Sequence, residues 1–197
     1  MPKLSDEQVA KNAEIIGKLI KTFPANLRES VEAMFEQIGE EFFLAPASMR
    51  EDYHGAFPGG LADHSLRVVL QLRKIAEALA PGKYKREDLD FLGLVHDLGK
   101  VGMSGKPLYV PNPNEWGRKR GFIYEINKEI PYMPISDRTM YLLQHHGIPL
   151  TPDEFLAIRL SDGQYEEGNR RYGMKEPDLA LLLHFADRWA CALEKSP

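Results

Sequence analysis

The segment His96-Asp97-Leu98-Gly99-Lys100 carries side chains that could do chemistry together. Adjacent histidine and aspartate side chains can close on one metal ion when the ion lies in the angle between them. Lys100 follows at i+4 from His96 and i+3 from Asp97, so on a helix it shares their face. A cation beside a metal site indicates that an anion binds there too, and phosphate is the obvious candidate. The alternative is an exposed His-Asp pair at a helix end.

Two further segments add ligand-type residues in a fixed order. His54 and His64 flank a Pro-Gly-Gly-Leu turn, and Asp187 lies about 90 residues after the His-Asp pair. One histidine, a His-Asp pair and a distant aspartate, each on an apolar segment, form the pattern of the HD-domain metal-dependent phosphohydrolases. The chain resembles this family from about residue 50 to about residue 190. The turn resembles the branch of the family whose first ligand helix follows a His-x-x-x-Pro-Gly-Gly-Leu loop.

The resemblance implies one divalent metal ion bound by His64, His96, Asp97 and Asp187. Two nitrogen and two oxygen ligands leave room for water and for a phosphoryl oxygen, and Lys100 would act in catalysis by offsetting the substrate's charge. Mn, Fe, Co, Ni, Mg and Zn are all compatible with this set. A second metal is less favoured, because two-metal branches typically need a further histidine in the stretch covered here by residues 101–144, which has none.

Composition narrows the class of protein further. A chain of 197 residues with 43% hydrophobic and 27% charged residues is typical of a globular protein, and its net charge of -4 argues against a generic nucleic-acid binder. The lone Cys191 cannot form an internal disulfide, which favours a reducing compartment, and its apolar neighbours predict a small buried residue. Without a signal-peptide pattern or an apolar span of about 20 residues, we expect a cytoplasmic protein with no membrane partner. The oligomeric state is open, a homo-oligomer included.

Periodicity and capping residues predict an all-α fold, a single HD-type helical domain with a long irregular insertion after the His-Asp pair. The predicted domain covers residues 1–197, and its parts are N-terminal helices in 1–44, a metal-binding core in 50–190 and the insertion in 101–134. Five prolines and four glycines without sustained periodicity define that insertion. Short strands are allowed near Tyr109, but nothing in the pattern requires a sheet.

Particular residues predict where helices begin and end. Ser5 with Gln8 and Thr151 with Glu154 have the spacing of capping boxes. The helix that starts near residue 86 is predicted to end on the His-Asp pair and to be closed by Gly99.

Three more histidines are candidates for the site. His146 is placed near the phosphate as a proton donor or hydrogen-bond partner, or else it caps a helix before Gly147. His54 faces the substrate or supports a ligand, or it has a structural role. His184 shares a helical face with Asp187 and orients the site, or it is a hydrogen-bonded core histidine.

The insertion and a later turn add polar candidates. Lys106, Arg118 and Lys119, with Tyr109 and Trp116 nearby, could grip substrate phosphates and stack on a base, or form a solvated basic loop. Among the catalytic candidates, Asp162 could assist the attacking water or read a ribose hydroxyl, or serve only as a turn residue.

The best interpretation is a hydrolase of a nucleotide or related phosphate ester or anhydride that uses one divalent ion. The enzyme alternative is a phosphodiesterase or exonuclease acting on RNA or DNA ends. A di-iron oxygenase is disfavoured by the same missing histidine. The non-enzymatic alternative is a nucleotide-sensing module that has lost turnover.

Overall fold

The computed structural model describes residues 4–103 and 105–194, so the ends of the predicted 1–197 domain and Ser104 lie outside the described residues. The described chain is mainly helical, in agreement with the predicted all-α class. Its α-helices are α1 (Asp6–Ile20), α2 (Ala25–Leu44), α3 (Gly60–Leu79), α4 (Arg86–Val95), α5 (Glu115–Lys119), α6 (Ile135–His145), α7 (Pro152–Arg159) and α8 (Asp178–Glu194). None of the helices in these residues is long and apolar enough to cross a membrane.

Helix α3 lies at the centre of the fold, packed against α8, α4, α2 and α1. Leu61, Val68, Leu72 and Ala76 are fully or almost fully buried along it, at the i, i+7, i+11 and i+15 spacing that keeps side chains on one helical face. Each large aliphatic side chain removed from water contributes roughly 1.5–3 kcal/mol. The same hydrophobic core includes side chains of α2, α4, α6, α7 and α8, so the ligand-bearing helices share one packed interior.

The two predicted capping boxes have different outcomes. Thr151 and Glu154 form the complete box, with the threonine side chain accepting from Glu154 N and the Glu154 carboxylate accepting from Thr151 N. Ser5 accepts from Gln8 N at 3.2 Å, but the Gln8 amide donates to Asn12 instead of returning to Ser5. The predicted second half of that box is therefore wrong, because a partner one turn later competes for the glutamine.

The end of α4 also differs from the prediction. The helix stops at Val95, and after His96 and Asp97 the chain enters a 3-10 helix over Leu98–Val101. Gly99 lies inside that turn and does not close α4. A Cβ at Gly99 would lie 2.3 Å from the carbonyl oxygen of Ile135, so glycine is required for close packing against α6.

The insertion is more regular than predicted. Strands β1 (Tyr109–Pro111) and β2 (Tyr124–Ile126) form an antiparallel pair, with α5 in the connection between them. The Asn112 side chain donates to Phe122 O across the connection at 2.8 Å, and Asn114 caps α5. Strands of three residues are too short to show an alternating pattern, so side-chain to backbone bonds define a hairpin that periodicity could not reveal.

Candidate metal centre

The Pro-Gly-Gly-Leu turn sets the start of α3 and with it the position of His64. Gly59 has a φ of 85°, and a Cβ on Gly60 would lie 2.0 Å from Gly55 O. Only glycine fits these two places, the first for its backbone conformation and the second for the close approach of two chain segments. His64 follows on the buried face of α3 and has no solvent exposure.

The four predicted ligands converge although they are spread over 124 positions of the sequence, from 64 to 187. Ligand atoms of His64, His96 and Asp187 all lie within 4.8 Å of one another. His64 Nε2 is 3.0 Å from Asp187 Oδ1, and Asp97 Oδ2 lies 3.6 Å from His64 Nε2 and 3.4 Å from His96 Nε2. The packing of α8 and α4 on α3 brings these four side chains together.

The two imidazoles are oriented in the way that a metal ion requires. His64 Nδ1 lies 2.9 Å from Glu194 Oε1, and His96 Nδ1 lies 3.0 Å from Gly93 O. Both partners are acceptors, so each Nδ1 donates a hydrogen bond, and each Nε2 faces the carboxylates, where it can give its lone pair to a metal ion in place of a proton. The two Nε2 atoms are buried and have no hydrogen-bond partner among the described residues. Two lone pairs beside two carboxylates fit a divalent cation.

The charges around the centre favour a cation. Burial alone would lower the pKa of both imidazoles, but the carboxylates outweigh it. Asp187 and Glu194 raise the pKa of His64, and Asp97 with Asp187 raises the pKa of His96 to about 10. In the absence of a metal, protons on the two imidazoles therefore supply the positive charge that these carboxylates favour.

Lys100 lies against the centre. Its Nζ is 2.5 Å from Asp97 Oδ2, and its side chain is only 11% exposed. Burial opposes both charges, yet Asp97 raises the pKa of Lys100, and Lys100 with His96 holds the pKa of Asp97 well below its usual range. The pair is therefore ionised, with the ammonium group beside the expected position of the metal.

Asp162 is carried to the same centre by the turn after α7. Its side chain is exposed at the rim, but the surrounding protein raises its carboxyl pKa, and the negative charges of Asp97 and Asp187 raise it further. His184 supports this turn, because its Nδ1 donates to Ser161 O at 2.7 Å. His184 is half-buried and bonded to the chain next to Asp162, so it is not a core histidine.

His54 lies beside the first ligand. Its ring centroid is 4.5 Å from that of His64, and its buried Nε2 has no hydrogen-bond partner among the described residues. Burial, followed by the positive charges of Lys100 and His64, lowers the pKa of His54 to about 2, so the ring is neutral. Cys191 is buried as predicted, and its thiol donates to Asp187 Oδ1 at 3.6 Å.

Arg138 is a residue that the sequence analysis missed. Its side chain is buried, and it donates to Gly99 O and Pro131 O at 3.4 and 3.1 Å. Beside it, Thr139 Oγ1 accepts from Gly99 N at 2.8 Å. These bonds hold the 3-10 turn that carries Lys100. An arginine in a polar-looking helix gives no signal of this in one sequence.

His146 lies at the C-terminal end of α6. It is the C-cap residue of α6, it contacts the His145 ring, and Gly147 follows with a φ of 67°. No hydrogen bond or ring contact in the described part of the chain joins His146 to a predicted ligand, and its position at the helix end agrees with the capping alternative. Its placement near the phosphate stays a prediction.

The three basic residues of the insertion are engaged within the hairpin. Lys106 pairs with Glu129 at 3.0 Å, Lys119 pairs with Glu115 at 2.8 Å, and Arg118 donates to Asn112 O at 2.7 Å. The two lysine pairs are exposed and contribute little to stability. A role of these residues in substrate binding stays a prediction.

A cleft of about 420 Å³ opens beside Lys100. Its walls come from the end of α2, the segment before α3, the 3-10 turn and the hairpin, and they consist of Glu40, Glu41, Leu44, Ala45, Pro46, Pro58, Lys100, Val101, Pro107, Tyr109 and Tyr124. Lys100 belongs both to this cleft and to the metal centre, so a molecule held at the centre can extend into it.

Comparison with known proteins gives one match. No curated protein and no solved structure matches the chain. The family model described as the HD domain matches residues 61–190, which begin with the helix that carries His64 and end just after Asp187. Proteins of this family are usually metal-dependent hydrolases, and the donor set described above fits a divalent ion. The match covers well over half of the sequence, and the chain belongs to the HD-domain family.

Proposed function

We propose that this protein hydrolyses a phosphate ester or anhydride of a nucleotide, with one divalent ion held by His64, His96, Asp97 and Asp187. The observation that carries the proposal is the pair of buried, unpartnered Nε2 atoms facing two carboxylates, with Lys100 beside them. When bound, the ion supplies Lewis acidity, which polarises a phosphoryl oxygen and makes a water easier to deprotonate.

The chain's own residues supply the other parts of the reaction. Asp162, with its raised carboxyl pKa, accepts the proton of the attacking water at the rim of the centre. The water oxygen forms a bond to phosphorus while the bond from phosphorus to the leaving oxygen breaks, and the leaving oxygen keeps the electron pair and takes a proton from solvent. Lys100 stabilises the negative charge that develops on the phosphoryl oxygens, because its ammonium group stays charged in a largely dry place.

A hydrolysis screen with several divalent metals tests the proposal. Nucleoside mono-, di- and triphosphates, cyclic nucleotides and short oligonucleotides are offered to the wild type, to Asp97→Ala and to the exposed control Asp6→Ala. We expect metal-dependent phosphate release by the wild type and the control and none by Asp97→Ala.

Other outcomes point to the alternatives. Cleavage of oligonucleotide ends alone would replace the proposal with an exonuclease. Nucleotide binding without turnover under any metal would indicate a sensing module.

A further inference from the structure

We infer that the cleft beside Lys100 binds the leaving group of a phosphomonoester, and that this group is an uncharged aromatic body with hydrogen-bond donors, as in a nucleoside monophosphate. The inference rests on the proposed function and names its substrate class. It predicts a preference for one phosphate over a chain of phosphates.

The charged side chains in the cleft are mainly acidic. Glu40 and Glu41 line it from the end of α2, and neither carboxylate has an ion-pair partner within residues 4–103 and 105–194. Lys100 is the one cation among the lining residues, and its ammonium group is already paired with Asp97. A second or third phosphate in this cleft would therefore meet two uncompensated carboxylates, and like charges brought together weaken binding.

The surface between these charges is apolar and aromatic. Leu44, Pro46, Pro58 and Val101 contribute apolar atoms, and Leu44 is 53% exposed to solvent without any substrate. Tyr124 and Tyr109 add aromatic rings from the two strands of the hairpin. Aromatic rings next to aliphatic surface favour a flat, weakly polar body such as a base.

Lys100 connects the cleft to the metal centre. Tyr109 and Lys100 line the same cleft, and the Lys100 ammonium group lies 2.5 Å from Asp97 Oδ2 at the metal centre. A phosphate at the metal centre thus has Lys100 and Tyr109 at the entrance of the cleft, and its ester oxygen leads into it. The Glu40 and Glu41 carboxylates can then accept hydrogen bonds from sugar hydroxyls or from an amino group of the base.

The cleft also agrees with the placement of the basic residues. Lys106, Arg118 and Lys119 are absent from its walls, so the cations that would neutralise a polyphosphate are elsewhere on the hairpin. A cleft of about 420 Å³ is within the ordinary size of a small-molecule site.

The test compares 5′-monophosphates and 5′-triphosphates of adenosine and cytidine at saturating metal. We expect kcat/KM for the monophosphates to be at least about tenfold higher than for the triphosphates. The double variant Glu40→Gln, Glu41→Gln should reduce this preference several-fold by improving the triphosphates. The control Glu36→Gln removes a charge from the same helix outside the cleft and should leave the preference unchanged.

Failure of the inference differs from failure of the proposed function. Triphosphates hydrolysed as well as monophosphates, or an unchanged preference in the double variant, would overturn the inference while the hydrolase remained. A protein without turnover on any substrate would overturn the proposed function. Equilibrium dialysis of AMP and ATP with the same metal would then decide on the cleft, and tighter binding of ATP would overturn the inference there too.

Discussion

Glu194 is expected to set the metal affinity although it is not one of the four ligands. Its Oε1 lies 2.9 Å from His64 Nδ1, the His64 side chain is fully buried, and the Glu194 side chain is 7% exposed. The bond is therefore little screened by solvent, and it fixes the tautomer that directs His64 Nε2 at the centre. Glu194→Ala removes the acceptor and leaves a buried N–H without a partner.

The magnitude follows from the kind of bond that is lost. A hydrogen bond to a charged group contributes about 1.5–3 kcal/mol, which corresponds to roughly 10- to 150-fold in an equilibrium constant. Partners of metal-bound histidines typically change metal affinity by about 10–100-fold, which is consistent with that range. Glu194→Gln keeps an acceptor at the same place and loses only its charge, so we expect a smaller loss.

Competition with a chelator of known affinity measures the effect. Wild type, Glu194→Ala and Glu194→Gln are titrated with the metal that supports turnover, and thermal unfolding without metal serves as the control for folding. We expect the order wild type, Gln variant, Ala variant in affinity. An Ala variant that binds metal as tightly as the wild type would refute the role of this bond.

Three further predictions address the site and the hairpin. Asp97→Ala should lose most metal binding and turnover, whereas Lys100→Ala should keep the metal and lower kcat by about 100-fold or more. Metal content and steady-state kinetics of the two variants separate these roles. Equal loss of metal in both variants would refute the separation. In EDTA, the raised pKa of His96 adds stability that is fully present below pH 6.5 and lost as pH rises toward about 10, so the unfolding temperature should fall over that interval; an unfolding temperature that stays constant or rises there would contradict the assignment. Because the Arg118 side chain donates to Asn112 O, we expect Arg118→Ala to leave KM unchanged and to lower thermal stability slightly. A KM that rises more for triphosphates than for monophosphates, with an effect that fades as salt is added, would instead show that Arg118 binds phosphates.

The pattern of apolar residues was sufficient to predict the helical fold, and the family resemblance was sufficient to predict which four ligands converge. Apolar spacing reports which face of a helix is buried, so the helical class of the chain follows from the pattern. The Thr151 capping box could be predicted because all of its bonds are local.

The rest depended on contacts between distant residues. Gly99 is glycine because α6 packs against it, and Glu194 supports His64 across 130 positions, and neither relation has a local signature. A short strand near Tyr109 was allowed by the sequence, but its pairing with a second strand was not predicted, because that pairing depends on register and on the Asn112 amide.

We propose that one divalent ion lies between His64, His96, Asp97 and Asp187. Anomalous diffraction from crystals loaded with the active metal tests it most directly. We predict a single strong peak at roughly 2.0–2.4 Å from both Nε2 atoms and from a carboxylate oxygen of each aspartate. A metal-loaded crystal with no peak between these four side chains, or with its peak at His145 and His146, would contradict the account.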